Sequence, residues 1–456
     1  MKDFPRDILR AARSAGVVVG HNVRVHRFAS SRGVGLVADA AIPAGTRVLE
    51  VPERVWSLVS ADAARGAIER SNPTLFRRVE AISARMVADA ASFEGALHLA
   101  LQIVGEGSDF READRDATSF IATWRDVAIP STLPSLPYFY DAVQLAQLRG
   151  SERSARSNTA RRQFVAQIHA ALFPPAADRS AAMAKALGEI GASAAPSLPQ
   201  FERALAVVSS RVTTSSDGPG VTLLPVLDWL NHAAAEAVNC RHDYDASTRS
   251  FVVDATNDVA AGEELTISYG PHANSKLLRV YGFATPANAH DVALLRVRWQ
   301  MWEAHRAQSA GQRGFSVADL KDAPPPPEDF ELSVADPLPA PLLGAMRLWM
   351  CDAEEWAALR DGSGDGDPTK APLSTRNERA AIGALGADVV AALERYETFG
   401  TEAEEALLRD SDGAGDGGGA SGDTARHCAL VRLGEKQILH AALQRLTVMR
   451  DALDEA

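Results

Sequence analysis

The stretch GEELTISYG at residues 262–270 decides the fold that this sequence predicts. Its first glycine suits a tight turn, and the alternating residues that follow suit a strand ending near Tyr269. An earlier stretch repeats the pattern, since DVAAGEELT at 258–266 resembles AIPAGTRVL at 41–49. Strand-like segments of this kind stand on both sides of a long helical block. This order predicts an α+β protein whose small β-fold is assembled from both ends of the chain, and it argues against a βαβ array.

Hydrophobic spacing divides the rest of the chain. Apolar residues recur with a helical period over residues 61–215, and the pattern is helical again from about residue 300. We therefore predict four regions: the N-terminal part of the β-domain (1–60), a helical insert (61–215), the C-terminal part of the β-domain (216–300) and an all-α C-terminal domain (301–456). Within the last region, the Gly- and Asp-rich tract 410–423 is predicted to form a loop.

Composition excludes several classes of protein. The 456 residues carry 47 Lys and Arg against 59 Asp and Glu, and the resulting net charge of −12 repels nucleic-acid phosphates. No apolar run approaches the roughly 18–20 residues of a membrane-spanning helix. Three scattered cysteines make neither a disulfide framework nor a structural zinc cluster. We expect a monomeric cytoplasmic protein without nucleic-acid or membrane partners; a nuclear location, or a plastid location after removal of a transit peptide, stays open.

The stretch DWLNH at 228–232 closes an apolar strand and carries polar side chains that could line a pocket. Asn231 offers two donors and an acceptor, and His232 can take either tautomer. On these residues alone, a polar turn with a hydrogen-bonded core histidine is also open. A metal site formed by His232, Cys240 and His242 would lack a fourth ligand at standard spacing, so no metal is expected.

The glycine stretch GVGLVA at 33–38 matches a dinucleotide-binding fingerprint, with Glu53 twenty positions further on. That fingerprint requires a helix that starts inside it, whereas here Pro43 and Gly45 follow almost at once. The stretch is therefore interpreted as a glycine turn, either alone or lying against a cofactor. The chain lacks GxSxG, Walker A, HExxH and CxxC motifs, which removes the commonest hydrolase, nucleotide-triphosphatase and zinc-protease classes.

Taken in order, these pieces resemble the SET-domain protein methyltransferases, specifically the subgroup that includes the RuBisCO large-subunit lysine methyltransferase. The sequence also shows YGF at 281–283, as the subgroup does after its tyrosine-ended strand. Residues 124–150 resemble the subgroup's helical insert, and residues 431–439 resemble its C-terminal substrate-binding domain. The resemblance implies a SET β-fold of short strands with a long helical insert, followed by a helical domain on which a protein substrate docks.

The resemblance also implies S-adenosyl-L-methionine as cofactor and assigns roles by position. Tyr269 lies beside the methyl-transfer path, and Thr213 and Leu227 lie near the channel for the target side chain. The implied cofactor-binding residues are Arg32, Gly33, Val34, Arg211, Asp228, Asn231, His232, Tyr281 and Phe283. The chain departs from the subgroup at Arg32, where an acidic residue is frequent, and in the expanded tract 410–423.

Three functions follow as hypotheses. The first is an S-adenosylmethionine-dependent protein-lysine N-methyltransferase with a non-histone substrate. The second is a protein-histidine methyltransferase, but Thr213 and Leu227 are small or aliphatic, whereas an imidazole pocket would favour a planar amide or an aromatic ring. The third is a catalytically silent scaffold, which the joint presence of Asn231, His232 and Tyr269 disfavours.

Overall fold

The computed structural model describes residues 8–28, 33–86, 90–104, 115–129, 133, 135–174, 195–215, 218–302, 327–360, 367–413 and 419–455. The chain divides into two compact units. The first comprises Met1–Phe139, Asn158–Pro271 and Val280–Gly282, and the second comprises Tyr140–Ser157, His272–Arg279 and Phe283–Ala456.

Short strands and longer helices alternate in blocks along the described residues. The strands are β1 (Val18–Val19), β2 (Val23–Arg27), β3 (Val34–Ala38), β4 (Arg47–Pro52), β5 (Val212–Ser215), β6 (Gly220–Leu223), β7 (Asn231–His232), β8 (Cys240–Asp245), β9 (Ser250–Ala255), β10 (Glu264–Ile267), β11 (Val292–Arg296) and β12 (Asp329–Ser333). The helices are α1 (Ile8–Ser14), α2 (Glu53–Trp56), α3 (Ala61–Ser71), α4 (Pro73–Ser83), α5 (Ala90–Val104), α6 (Arg115–Ala128), α7 (Ala142–Ala146), α8 (Glu152–Leu172), α9 (Leu198–Arg211), α10 (Asn274–Tyr281), α11 (Ala340–Trp349), α12 (Ala353–Arg360), α13 (Thr375–Leu393), α14 (Glu402–Gly413) and α15 (Gly419–Glu455). None of the helices described is both long and apolar enough to cross a membrane.

The first unit contains two four-stranded sheets, ordered β1-β4-β9-β8 and β2-β3-β10-β7. In both sheets, N-terminal strands pair with strands about two hundred residues away, as when Leu36 faces Leu265. The two repeated turns also meet, since Ile42 forms a β-bridge with Val259 and the amide of Ala44 donates to the carboxylate of Asp258 at 2.8 Å. The predicted β-fold from both ends of the chain is therefore confirmed.

The helical insert supplies the apolar cover of the first unit. Helices α3 and α5 both contact β6, and α9 leads directly into the β5–β6 hairpin. The apolar faces predicted from spacing are buried at Leu97, Phe201 and Val208. Burial of such side chains provides most of the favourable free energy that holds these helices in place.

The second unit is mainly helical and also contains the antiparallel pair β11–β12. Its core includes Leu295, Leu385 and Leu439, from one strand and two helices. The sequence assigned residues 216–300 to the β-domain, whereas β11, which lies at the end of that range, pairs with β12 inside this second unit. The α+β class and the helical C-terminal region are confirmed, but the prediction that the C-terminal domain is all-α is corrected, because it contains the β11–β12 pair.

Candidate active site

A parallel pairing of two strands builds the centre of the site. Strand β7 lies beside β10, with Asn231 opposite Thr266 and His232 opposite Ile267. Tyr269 follows two residues after β10, so the pairing brings its ring to 5.4 Å from that of His232, between ring centroids. The Tyr281 ring lies 4.8 Å from the Tyr269 ring. Four residues that the resemblance assigned to one site are therefore clustered within the first unit.

Hydrogen bonds fix both His232 and Tyr269. The backbone amide of Tyr269 donates to Nδ1 of His232 at 3.0 Å, so a neutral ring carries its proton on Nε2. The Tyr269 hydroxyl donates to the carbonyl oxygen of Leu230 at 2.8 Å. Burial raises the pKa of the Tyr269 phenol well above its ordinary value, and the nearby Arg211 only partly opposes this. The phenol is therefore neutral at physiological pH, and its oxygen can accept a hydrogen bond but does not act as a tyrosinate.

The glycine turn lies directly against Asn231. The side-chain amide of Asn231 donates to the carbonyl oxygen of Val34 at 3.2 Å and to Oε1 of Glu264 at 2.7 Å. A Cβ at Gly35 would lie 2.6 Å from that carboxylate oxygen and 2.9 Å from the Asn231 nitrogen. Gly33 has φ of +70°, which a side chain would disfavour. Gly35 thus lets the side chains of Glu264 and Asn231 pack directly against the β3 backbone, and β3, β7 and β10 together form a small polar cradle there.

A buried carboxylate lies close to the tyrosine. The Asp228 side chain is 0% exposed and accepts a hydrogen bond from the Arg211 guanidinium at 2.8 Å. Nε1 of Trp124, on α6, donates to its other oxygen at 3.2 Å. Burial raises the pKa of Asp228, while Arg211, Trp124 and the backbone amide of Val226 oppose the rise by stabilising the anion.

The local backbone explains how Asp228 reaches this position. Val226 has φ of +74° and ψ of −45°, a strained conformation for a β-branched residue. The turn that it starts, a 3₁₀ segment over Leu227–Trp229, directs Asp228 into the core and sends the chain onward into β7. Strain of this kind is found where tertiary structure overrides local preference, and functional sites are enriched in it.

The remaining predicted residues are placed less centrally. Leu227 is buried beside Asp228, and Thr213 is half-buried on β5, two residues after Arg211. Phe283 belongs to the second unit, and Arg32 lies outside the described residues. The cofactor, channel and catalytic roles that the resemblance assigns, to these residues as to the central ones, stay predictions.

Two residues of the site were not predicted from the sequence. The sequence marked Trp124 only as the first residue of the segment that resembles the subgroup's insert, and Glu264 only as part of a strand motif. In the structure, Trp124 contacts Asp228 and Glu264 contacts Asn231 through tertiary hydrogen bonds. As to the candidate metal ligands His232, Cys240 and His242, no cluster of three or more His, Cys, Asp or Glu side chains able to hold a metal occurs among the described residues.

Comparisons with known proteins agree with this geometry. Residues 33–270 match the family model for the SET domain, and residues 292–439 match the family model described as Rubisco LSMT substrate-binding. Over 88 residues, 19% of this chain, the sequence is 34% identical to the ribosomal lysine N-methyltransferase set10 of Schizosaccharomyces pombe. Over 112 residues, 25% of this chain, it is 34% identical to SET domain-containing protein 4 of Homo sapiens. These segments span only 16% and 24% of the two relatives.

Solved structures extend the likeness over nearly the whole chain. Rubisco LSMT bound to AdoMet superposes with a TM-score of 0.68 at 19% identity, covering 98% of this chain and 92% of its own. Rubisco LSMT bound to sinefungin and monomethyllysine gives a TM-score of 0.69 at 19% identity, covering 99% and 94%. At this identity the likeness establishes the fold. Because the SET family model covers more than half of the sequence and the strands meet as that fold requires, the chain belongs to the SET-domain family.

Proposed function

We propose that this protein is an S-adenosylmethionine-dependent protein-lysine N-methyltransferase that acts on a non-histone protein. The observation that carries the proposal is the fixed neutral phenol of Tyr269, whose hydroxyl is anchored on Leu230 and whose ring lies against His232 and Tyr281. Rubisco LSMT, whose fold this chain shares, has been solved with AdoMet and with monomethyllysine. A protein substrate bound by the C-terminal region, a monomeric state and a cytoplasmic location belong to the same proposal.

The residues present fit the cofactor. At Gly35, where a Cβ would clash with them, the amide of Asn231 and the carboxylate of Glu264 meet the carbonyl of Val34 in one polar cluster. Asn231 would hold the amino-acid end of S-adenosylmethionine, and His232 would hold its adenosine end. When bound, the cofactor supplies an electrophilic methyl group on sulfur; the lone pair of a neutral amine forms the new C–N bond as the C–S bond breaks, and the amine then loses a proton to solvent.

The protein must deliver that amine neutral and aligned. A free lysine has a pKa of about 10.4, and burial in an apolar channel lowers this pKa by disfavouring the ammonium. The oxygen of Tyr269 can accept a hydrogen bond while its own proton is donated to the carbonyl oxygen of Leu230. A fixed acceptor of this kind positions the reacting groups and stabilises the positive charge that develops on nitrogen, effects that can supply several kcal/mol.

The test is transfer of a tritiated methyl group from S-adenosylmethionine to lysate proteins, with Tyr269→Phe beside the wild type. Removing the hydroxyl keeps the ring packing, so turnover should fall by roughly a hundredfold while cofactor affinity is kept. Tyr244→Phe is a matched control, because Tyr244 packs on Trp56 and Phe251, away from the site. Full turnover in Tyr269→Phe would remove the phenol from the mechanism.

Mass spectrometry of the labelled protein decides between the hypotheses. Label on lysine supports the proposal, whereas label on histidine would replace it with the histidine hypothesis. Cofactor binding without transfer to any lysate protein would support a silent scaffold. Because a relative is named a ribosomal lysine N-methyltransferase, a ribosomal fraction is the first substrate pool to assay.

A further inference from the structure

We propose that a basic patch of the second unit, formed by Lys276, Arg279 and Arg153, binds an acidic segment of the protein substrate. This inference rests on the proposed function and deepens it, because it identifies the chemistry by which the protein recognises its substrate beyond the target side chain. All three residues belong to the second unit, so the patch lies within one compact part of the chain.

The first step is the geometry of α10. Lys276 and Arg279 are three residues apart on this helix, so they lie on the same side of it. The residues that the helix buries lie on its other side, and they are Asn274, Ser275, Leu277 and Leu278. Lys276 and Arg279 are themselves half-buried. The outer face of α10 therefore presents two cations side by side.

The second step is the lack of counter-charges on that face. In the described part of the chain, neither Lys276 nor Arg279 has a carboxylate within ion-pair distance or a hydrogen-bond acceptor for its side-chain nitrogens. Burial lowers the pKa of both groups, and a neighbouring cation lowers it further, Arg279 acting on Lys276 and Arg153 on Arg279. Like charges at this spacing destabilise a helix. The fold thus leaves the donors of both side chains available to an outside acceptor.

The third step is the net charge of the patch. Arg153, near the start of α8, forms an ion pair with Glu331 of β12. Three cations and this one carboxylate leave two positive charges on the patch, although the whole chain has a net charge of −12. A local positive field of this kind attracts anionic segments and repels basic ones. The patch therefore selects for acidic partners.

The occupant that fits is a short run of Asp or Glu residues. A guanidinium group binds a carboxylate through two parallel hydrogen bonds, and an ammonium binds it as a point charge. Helix α10 ends at Tyr281, whose ring lies 4.8 Å from that of Tyr269. At 1.5 Å per residue this helix is about 12 Å long, a distance that about four extended residues span. We therefore expect the acidic residues within a few positions of the target lysine.

A competing explanation is purely structural. Arg279 lies in the last turn of α10, where a cation interacts favourably with the partial negative charge of the helix end. Lys276 lies in the first turn, where the same dipole disfavours a cation, so this explanation covers only one of the two residues. A structural role would show as a change in thermal stability, whereas a docking role would show as a change in affinity for acidic peptides.

The experiment is fluorescence anisotropy of the full-length protein with two labelled peptides. Each peptide carries one lysine, flanked on both sides by glutamates in the first and by glutamines in the second. The wild type should bind the glutamate peptide about tenfold more tightly, and Lys276→Gln/Arg279→Gln should lose this preference. Raising the salt concentration from about 0.05 M to about 0.5 M should also reduce it.

Lys370→Gln is the matched control, because Lys370 is an exposed lysine of the second unit that lies outside the patch and pairs with Asp367. It should keep the full preference for the glutamate peptide. Thermal unfolding of each variant shows whether it is folded. If the double variant does not fold, Lys276→Gln alone must lower the preference by about two- to fivefold.

Two results would overturn the docking site while leaving the proposed function intact. One is equal affinity of the wild type for both peptides, and the other is an unchanged preference in the folded double variant. Tighter binding of a single-stranded DNA of the same charge, lost in the double variant, would replace the acidic peptide by nucleic acid. Absence of methyl transfer to any lysate protein would overturn the proposed function, whatever the peptides show.

Discussion

The ion pair between Arg211 and Asp228 gives the most demanding prediction. In Arg211→Met, a side chain of similar length replaces the guanidinium, and Asp228 keeps only the hydrogen bonds from Trp124 and the Val226 amide. Because the Asp228 side chain is 0% exposed, its charge cannot turn to water. Removing one partner of a buried ion pair costs about 3–5 kcal/mol. Because two hydrogen bonds to Asp228 survive, we expect the lower end of this range. The free energy of unfolding at pH 8 should fall by about 3 kcal/mol.

The pH dependence of the free energy of unfolding tests the same ion pair independently, because its direction can also be predicted. Burial already raises the pKa of Asp228, and loss of the arginine raises it further. A carboxyl group whose folded pKa exceeds its unfolded pKa holds a proton in the folded state over the interval between the two values. The free energy of unfolding of Arg211→Met should therefore fall as the pH rises above about 4 and level off once the folded pKa is passed. The destabilisation should be larger at pH 8 than at pH 5.

The assay is urea unfolding followed by circular dichroism at both pH values. The double variant Arg211→Met/Asp228→Asn is the control, because a neutral side chain at 228 needs no cation. It should recover about 1–3 kcal/mol relative to Arg211→Met, the usual size of coupling between residues in contact. A loss below about 1 kcal/mol at pH 8, or strict additivity of the two substitutions, would refute the view that Asp228 is a buried anion held by Arg211.

Two further predictions concern the two units separately. Gly35→Ala should weaken S-adenosylhomocysteine binding at least tenfold in calorimetry, because its Cβ would lie 2.6 Å from a Glu264 oxygen. The control is Gly383→Ala, since a Cβ at Gly383 meets nothing within 4 Å. If Gly35→Ala bound S-adenosylhomocysteine as tightly as the wild type, the cradle would not be part of the cofactor site. In the second unit, burial raises the pKa of Glu435 to about 7 despite hydrogen bonds from Tyr396 and Ser151. The folded state thus keeps the Glu435 carboxyl protonated between about pH 4.5 and 7. As the pH rises through that interval, the Tm of the wild type should fall relative to that of Glu435→Gln. Parallel Tm curves for the two proteins would contradict this prediction.

Local sequence predicted the strands and turns of the first unit well. The alternating stretch after Gly262 forms β10, and the glycine-rich stretch at 33–38 forms β3 directly after Gly33, because side-chain alternation and turn chemistry act over a few residues. The repeated turns were found from the sequence, but their β-bridge between Ile42 and Val259 was not. Pairing partners so far apart depend on the whole fold, which no local pattern specifies.

The same distinction explains the residues of the site. Asn231, His232 and Tyr269 were recognisable because they stand in short motifs with a fixed order. Trp124 and Glu264 were not, since their roles arise from side chains that approach from other elements. The sequence did not predict that β11 belongs to the second unit for a related reason, because the alternation of a strand is the same whichever sheet it joins.

The sequence by itself determined the order of strands, insert and helical region, and it marked the short motifs that identify the family. Only the tertiary structure decided that β7 pairs with β10 in parallel, that the Asp228 carboxyl group is buried under an arginine and a tryptophan, and that the Tyr269 hydroxyl is anchored on a backbone carbonyl. The physical reason is range. Propensity and periodicity are properties of neighbouring residues, whereas register, burial and pKa depend on every atom that packs around a group, wherever it lies along the chain.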